Sequence, residues 1–278
     1  MIDGRWMKII TQEGSYDIND ILFNFIFLEA KASYPNENNE SNTFQGVDGE
    51  LPTVATFAPF NLEVSCGFDG IDENDRNLAE LKLRQLFFRR QPYYIITSDN
   101  PGLKYRVNNP DVNPDYLDFS AIKFDMTFSC RDGYAETVKE TDEYSLSNGN
   151  WQFGVGLLAD DGIKYKHDTT SFRIYNGSSD TINPLLRHKF KLLINIDAPK
   201  GFKIINHTTG NTFQYKKGIK QNQQLILKGV HPILDNQRVG IDTNRQWLTL
   251  KEGFNDIEIT GENIGGATTQ WIFPFIFK

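Results

Sequence analysis

The side chains best suited to metal binding or nucleophilic attack are four histidines (His167, His188, His207 and His231) and two cysteines (Cys66 and Cys130). Their spacing argues against both chemistries. A helical zinc site needs histidines one turn apart, and thiolate sites need cysteines in close pairs. No two histidines here are four residues apart, and the cysteines are separated by 64 positions. HExxH, GxSxG and Walker patterns do not occur. Each cysteine ends an alternating apolar segment, where a small thiol fills space in a core. Gly154-Val155-Gly156-Leu157-Leu158-Ala159 spells a dinucleotide fingerprint. The Asp160-Asp161-Gly162 turn follows it where a helix N-terminus would have to hold the pyrophosphate. The acidic run at 69–75 lacks the alternating ligands, glycine and final glutamate of a calcium loop, and reads as helix capping. Asp160 and Asp161 are neighbours on a turn and point apart, unlike the facing carboxylates of sugar hydrolysis. The sequence therefore predicts no catalytic residue, no cofactor-binding residue and no metal ligand. Trp151, Trp247 and Trp271 are rings that could stack on a sugar, but Trp247 and Trp271 read as core positions within strands.

The elements that carry these residues are mainly strands. Period-two alternation places Ile122, Phe124, Met126 and Phe128 on one face and Lys123, Asp125, Thr127 and Ser129 on the other. Phe190, Leu192, Ile194 and Ile196 repeat the pattern. Shorter versions occur at Phe172/Ile174, Phe213/Tyr215, Leu225/Leu227 and Ile257/Ile259. Turn signals at Asn176-Gly177, Pro199-Lys200-Gly201, Thr209-Gly210-Asn211 and Lys251-Glu252-Gly253 separate them. The tract 36–43 reads as an exposed loop. A β-sandwich is predicted for 151–278, closing with a strand at 271–277 that Pro274 confines to an edge or bulge.

One helix is predicted, at 74–90. Asp72, Glu73 and Asp75 crowd its start, and Arg89 and Arg90 close it before Pro92. Ala79, Leu83, Leu86 and Phe87 form one apolar stripe, while Leu81 and Phe88 form a second on the opposite side. One stripe faces the helix's own sheet. The second faces either a neighbouring subunit or more of the same fold, so Leu81 and Phe88 are candidate interface residues.

The chain has 278 residues, 39% hydrophobic and 23% charged, which fits two globular domains rather than a disordered chain. The longest apolar run, 21–28, is too short to cross a membrane, and no signal peptide is expected. A reducing cytoplasm is the expected folding compartment. Residues 1–147 hold 13 Lys+Arg against 25 Asp+Glu, a balance of −12, whereas 148–278 hold 16 against 11, a balance of +5. The sign change and the polar segment 136–150 predict a linker there, giving domains 1–147 and 148–278. The acidic half speaks against nucleic-acid binding through it, because phosphates demand Lys and Arg.

Taken in order, several segments resemble the distal tail proteins (Dit) of siphophages. In the first half these are Gly46-Val47-Asp48-Gly49, the strand at 60–68, the acid-capped helix, Gln91-Pro92-Tyr93-Tyr94-Ile95-Ile96 and Asn100-Pro101-Gly102-Leu103-Lys104-Tyr105-Arg106-Val107. The strand at 122–128 then runs into Cys130-Arg131-Asp132-Gly133-Tyr134-Ala135-Glu136, where Gly133 replaces the family's proline. In the second half they are Phe172-Arg173-Ile174-Tyr175-Asn176-Gly177 with Pro184, Ile205-Asn206-His207-Thr208-Thr209-Gly210, and Leu248-Thr249-Leu250-Lys251-Glu252-Gly253-Phe254-Asn255. The first 35 residues match least well.

The resemblance implies an N-terminal belt domain, a split-barrel-like sheet with one helix and a hairpin, and a C-terminal galectin-like β-sandwich pointing outward. It implies a homo-hexameric ring without catalysis in the virion tail tip, made in the bacterial host cytoplasm. That ring would join the tail tube protein to a tail-tip protein and to receptor-binding proteins. No membrane insertion and no sequence-specific nucleic-acid binding are expected. DNA would leave through the ring, so carboxylates on half-polar strand faces, with Glu63 and Asp125 as candidates, are expected to line the channel or merely to keep the surface soluble. A carbohydrate-binding sandwich recognising host glycans is the alternative. A cell-wall hydrolase is a third reading, which the missing motifs disfavour.

Overall fold

The protein is described by a computed structural model covering residues 4–38, 41–42, 48, 51–52, 56–145, 147, 151, 153–158, 160 and 162–278. Gly46, Val47 and Gly49, parts of the tracts 36–43 and 136–150, Ala159 and Asp161 lie outside the described residues. The chain forms two compact units, residues 1–136 with Lys278, and residues 137–277. Both are mainly antiparallel β-structure. No helix among the described residues is long and apolar enough to cross a membrane.

Strands of three or more residues are numbered in chain order, leaving out Ala135–Thr137, which straddles the division between the units. The first unit contains β1 (Met7–Ile10), β2 (Ser15–Asp17), β3 (Phe25–Ala32), β4 (Phe60–Asp69), β5 (Tyr93–Thr97), β6 (Leu103–Val107), β7 (Asp111–Tyr116) and β8 (Ala121–Cys130). They pair in the order β2-β1-β5-β6-β8-β4-β3, with β7 also on β8. The path has two ends, so the described strands form an open sheet and no closed barrel. Register sets Leu62 opposite Phe128, Val64 opposite Met126, Cys66 opposite Phe124 and Phe68 opposite Ile122. All eight are buried, as the alternation predicts.

Two helices belong to this unit. The first, α1 (Ile18–Ile21), is one turn capped by Asp17; it is too short to leave a periodic trace in the sequence. The second, α2 (Glu73–Phe87), packs Ala79, Leu83, Leu86 and Phe87 into the core, where Phe87 meets Phe128 edge to face at 5.6 Å. The Asp72 carboxylate accepts from the Asp75 amide at 2.9 Å, which fixes the start. The helix stops three residues before the predicted end. Tyr93 Oη donates to the Phe87 carbonyl at 2.8 Å and Arg89 Nε to the Leu86 carbonyl at 2.9 Å, satisfying carbonyls that a further turn would have used.

The second unit contains β9 (Ser171–Asn176), β10 (Lys191–Ile196), β11 (Phe202–Asn206), β12 (Asn211–Tyr215), β13 (Leu225–Lys228), β14 (His231–Leu234), β15 (Gly253–Thr260) and β16 (Ala267–Ile272). One sheet runs β16-β10-β13-β14 with a two-residue strand at each edge, and the other runs β9-β15-β11-β12. Phe172 on one sheet meets Trp271 on the other at 6.2 Å across a core that includes Ile174, Ile194, Ile204 and Ile257. This is the expected sandwich.

The closing strand differs from expectation. It begins at Ala267, breaks after Ile272 and resumes only at Ile276–Phe277. Pro274 interrupts the ladder, and two threonines from the expected linker fill in. Thr141 Oγ1 accepts from the Phe273 amide at 3.1 Å, and Thr137 Oγ1 accepts from the Phe275 amide at 3.0 Å. Residues 137–145 are therefore part of the second unit's packing.

Candidate assembly surfaces

The apolar face of β8 and β4 lies under α2, and the helix leaves an open groove beside β7. Val112 and Pro114 line one wall, Leu83, Phe87 and Phe88 the other, with Phe124 and Met126 at the floor. Its volume is about 620 Å³. Tyr116 ties β7 to the helix, its hydroxyl donating to Glu80 at 3.3 Å and its ring lying under Arg76. On the outer side of α2, Leu81 and Phe88 are 52% and 51% exposed, and Leu78, one turn before Leu81, is 57% exposed. The structure thus brings both candidate interface residues together in one outward stripe. Among the described residues of this unit, nothing covers it. Exposed large apolar side chains in contiguous rows mark interaction surfaces more often than isolated ones do.

Glu63 and Asp125 share the opposite, outward face of the sheet. Cross-strand register puts Asp111, Thr127, Glu63 and Lys31 in one row, and Asn113, Asp125, Ser65 and Glu29 in the next. Asp115 and Lys123 belong to the row beyond, and Asp69 to the one after that. Six carboxylates, Glu29, Glu63, Asp69, Asp111, Asp115 and Asp125, stand against Lys31 and Lys123 on this face. Asp125 accepts from Ser65 Oγ and, at 3.0 Å, from Lys123 Nζ; these two contacts hold its carboxyl below the usual range. The face is acidic because register stacks alternate polar positions of four strands.

The remaining candidates of the sequence have structural surroundings. Cys66 and Cys130 are free and buried; burial raises both thiols, that of Cys130 to about 12. Gly156 does not open a nucleotide loop. Its φ of +81° and a position where a Cβ would stand 2.3 Å from the Gly177 carbonyl explain the glycine by close backbone approach. Asp72 and Asp75 of the acidic run cap backbone amides. Among the described residues no cluster of His, Cys, Asp and Glu could hold a metal ion. Trp151 and Trp271 are buried. Trp247 is half-buried in an irregular segment, not in a strand as predicted.

The sequence places Asn176 in a turn signal and gives Asn206 and Asn255 no structural role of their own. All three are fully buried. Asn176 Nδ2 donates to the Leu250 carbonyl at 2.9 Å, Asn206 Nδ2 to the Thr249 carbonyl at 2.7 Å, and Asn255 Nδ2 to the Lys251 carbonyl at 2.7 Å. Together they fasten the 249–253 segment to three strand ends. The signal was present, since Asn176 and Asn206 close apolar strands and Asn255 opens one, each in phase with the buried positions of its strand.

Residues 13–130 match the family of phage tail protein RIFT-related domains. The matched stretch falls within the first unit. The resemblance to siphophage distal tail proteins is borne out. Across both units, the fold is similar to the crystal structure of Dit from phage SPP1, described as a paradigm of hub adsorption apparatus in phages infecting Gram-positive hosts. That likeness has a TM-score of 0.67 at 16% identity and covers 98% of this chain and 99% of the SPP1 chain. A chain of the phage P2 baseplate in its activated conformation is similar at TM-score 0.44 and 11% identity, covering 97% of this chain and 98% of that one. No curated protein sequence matches.

Proposed function

We propose that this phage tail protein is the hub of a siphophage tail tip, a homo-hexameric ring that joins the tail tube to the tail-tip and receptor-binding proteins. The observation that carries the reading is the phage tail domain at 13–130 within a chain whose fold follows that of SPP1 Dit over nearly the whole of both. The role is structural. The first unit, taken as the belt, supplies the ring contacts, and the outward stripe of Leu78, Leu81 and Phe88 is the apolar surface that ring closure would bury. The second unit is then the galectin-like sandwich. Its buried Trp151 and Trp271 do not favour the glycan-binding alternative.

The acidic sheet face fits a DNA channel. Duplex DNA carries one negative charge per ~1.7 Å, so carboxylates repel it where lysines would hold it. Glu63 and Asp125 are proposed to face the lumen. An electron-microscopy ring with this face on the outer rim would refute that placement and leave the hub intact.

The assembly reading is tested by light scattering on the full chain and its Leu81→Ser/Phe88→Ser variant. Each side chain is about half exposed, so burying the rest stabilises each contact by about 1 kcal/mol, or about 2 kcal/mol for the pair. The variant should assemble at about 30-fold higher concentration while keeping a cooperative melt. A wild-type chain that stays monomeric, or a variant that assembles unchanged, would count against the proposal.

A further inference from the structure

The acidic first half holds one conspicuously basic place. An open cleft of about 720 Å³ follows the C-terminal end of α2 and is lined by Arg89, Arg90, Arg106 and Arg131, with Asp132 as the one carboxylate among the described residues that line it. Four of the 13 basic residues of a half with a balance of −12 therefore surround one cavity. Internal pairing uses only part of this charge. Arg106 binds Asp132 through Nη1 at 3.0 Å, and Arg89 reaches Glu13 at 3.4 Å. Arg90 and Arg131 are exposed and have no carboxylate partner among the described residues. Guanidinium groups present planar forks that match carboxylates, so the cleft is built for an acidic segment.

Such a segment lies at the other end of the same helix. Asp69 ends β4 and Asp72, Glu73 and Asp75 open α2; Asp72 and Asp75 cap backbone amides, whereas Asp69 is exposed and Glu73, also exposed, makes a surface pair with Arg76 at 3.3 Å. The helix has 15 residues and so separates the two charged ends by about 22 Å. Complementary surfaces at opposite ends of one element cannot satisfy each other within a chain. They pair head to tail between copies, the heterologous arrangement that closes rings.

We infer that the arginine cleft receives the acidic entry of α2 from a second copy of this chain. The inference rests on the hub reading and adds to it the direction and the charged partners of the ring contact. Between the two charged ends the helix exposes Leu78 and Leu81, with Phe88 just past its last turn. Charge pairing at its ends sets register, and apolar burial between them supplies affinity.

The test is sedimentation of the full chain over a concentration series at low and high salt. Arg90→Glu with Arg131→Glu should raise the concentration of half-assembly about tenfold or more. Adding Asp69→Lys and Glu73→Lys to the same chain restores opposite charges at the two ends and should recover most of the loss. Arg90→Gln with Arg131→Gln removes charge without adding any and should shift assembly less in the same direction. It serves in place of the reversal if that variant loses its cooperative melt. Wild-type assembly should weaken as salt rises, since exposed charges more than about 10 Å apart are screened at 0.1 M. A wild-type chain that never assembles overturns the hub reading and this contact together. Wild-type assembly with unshifted arginine variants overturns the contact alone, as does a short DNA duplex that binds the cleft while those variants assemble normally.

Discussion

Replacing Asn255 with alanine should cost the second unit about 2–3 kcal/mol, and the hydrogen bonds of its amide show why. Asn255 Oδ1 accepts from the Lys251 amide at 2.9 Å and from Asn206 Nδ2 at 3.0 Å. Its Nδ2 donates to the carbonyls of Lys251 at 2.7 Å and Gly253 at 3.1 Å. Lys251 lies on an exposed turn and Gly253 is half-buried, so water can replace part of what those groups lose. Asn206 is fully buried and would keep only its Thr249 contact for that donor group. An orphaned buried polar group costs about 1–3 kcal/mol, and the lost side-chain volume adds to it. For a unit of this size the loss corresponds to roughly 6–12 °C in melting temperature. Urea unfolding followed by tryptophan fluorescence reports mainly on the right unit, because Trp151, Trp247 and Trp271, three of the four tryptophans, belong to it; Trp6→Phe removes the contribution of the first unit. Asn255→Asp is the decisive companion. It keeps the shape and the two accepted bonds but turns a charged oxygen toward two carbonyls, so it should be at least as damaging as alanine. A loss under about 1 kcal/mol for alanine, or a near-wild-type aspartate variant, would show that the amide network does not hold this turn.

A fragment of residues 137–277 should melt cooperatively, whereas 151–277 should melt lower or not at all, because it lacks the Thr137 and Thr141 hydroxyls that serve Phe275 and Phe273; calorimetry on both decides. Asp72→Ala removes the α2 cap and should cost about 1 kcal/mol in denaturant unfolding of the full chain, with Asp72→Asn close to wild type. Burial holds the His167 imidazole below its ordinary value of 6.5, partly opposed by its contact to the Lys164 carbonyl. The folded state thus disfavours the protonated ring, so stability is intact above pH 6.5 and falls as the pH drops through that value. Urea midpoints at pH 7.5 and 5.5 should show a smaller pH slope in His167→Phe, and an unchanged slope would remove this histidine from the account.

Local order was legible in the sequence wherever one element's own periodicity carries the information. The strand at 121–130 was plain because every second residue is apolar, and α2 because its acidic start and inner stripe are spaced by turns. The β-rich class and the phage tail resemblance followed from the order of such segments. What the sequence did not show depends on which segments meet. Thr137 and Thr141 looked like linker residues until Pro274 broke the closing strand opposite them. Asn176 looked like a turn residue, and Asn206 and Asn255 like ordinary polar positions, until their amides met the carbonyls of 249–253. The acidic face exists because β3, β4, β7 and β8 pair in one register, and a slip of one residue would turn those carboxylates into the core. Arg89 and Arg90 are 42 and 41 positions from Arg131, yet they share a cleft because β6 and β8 pair where the helix ends. Alternation and capping act through neighbours along the chain, whereas hydrogen-bond completion and charge clustering act between groups that only the tertiary fold brings close.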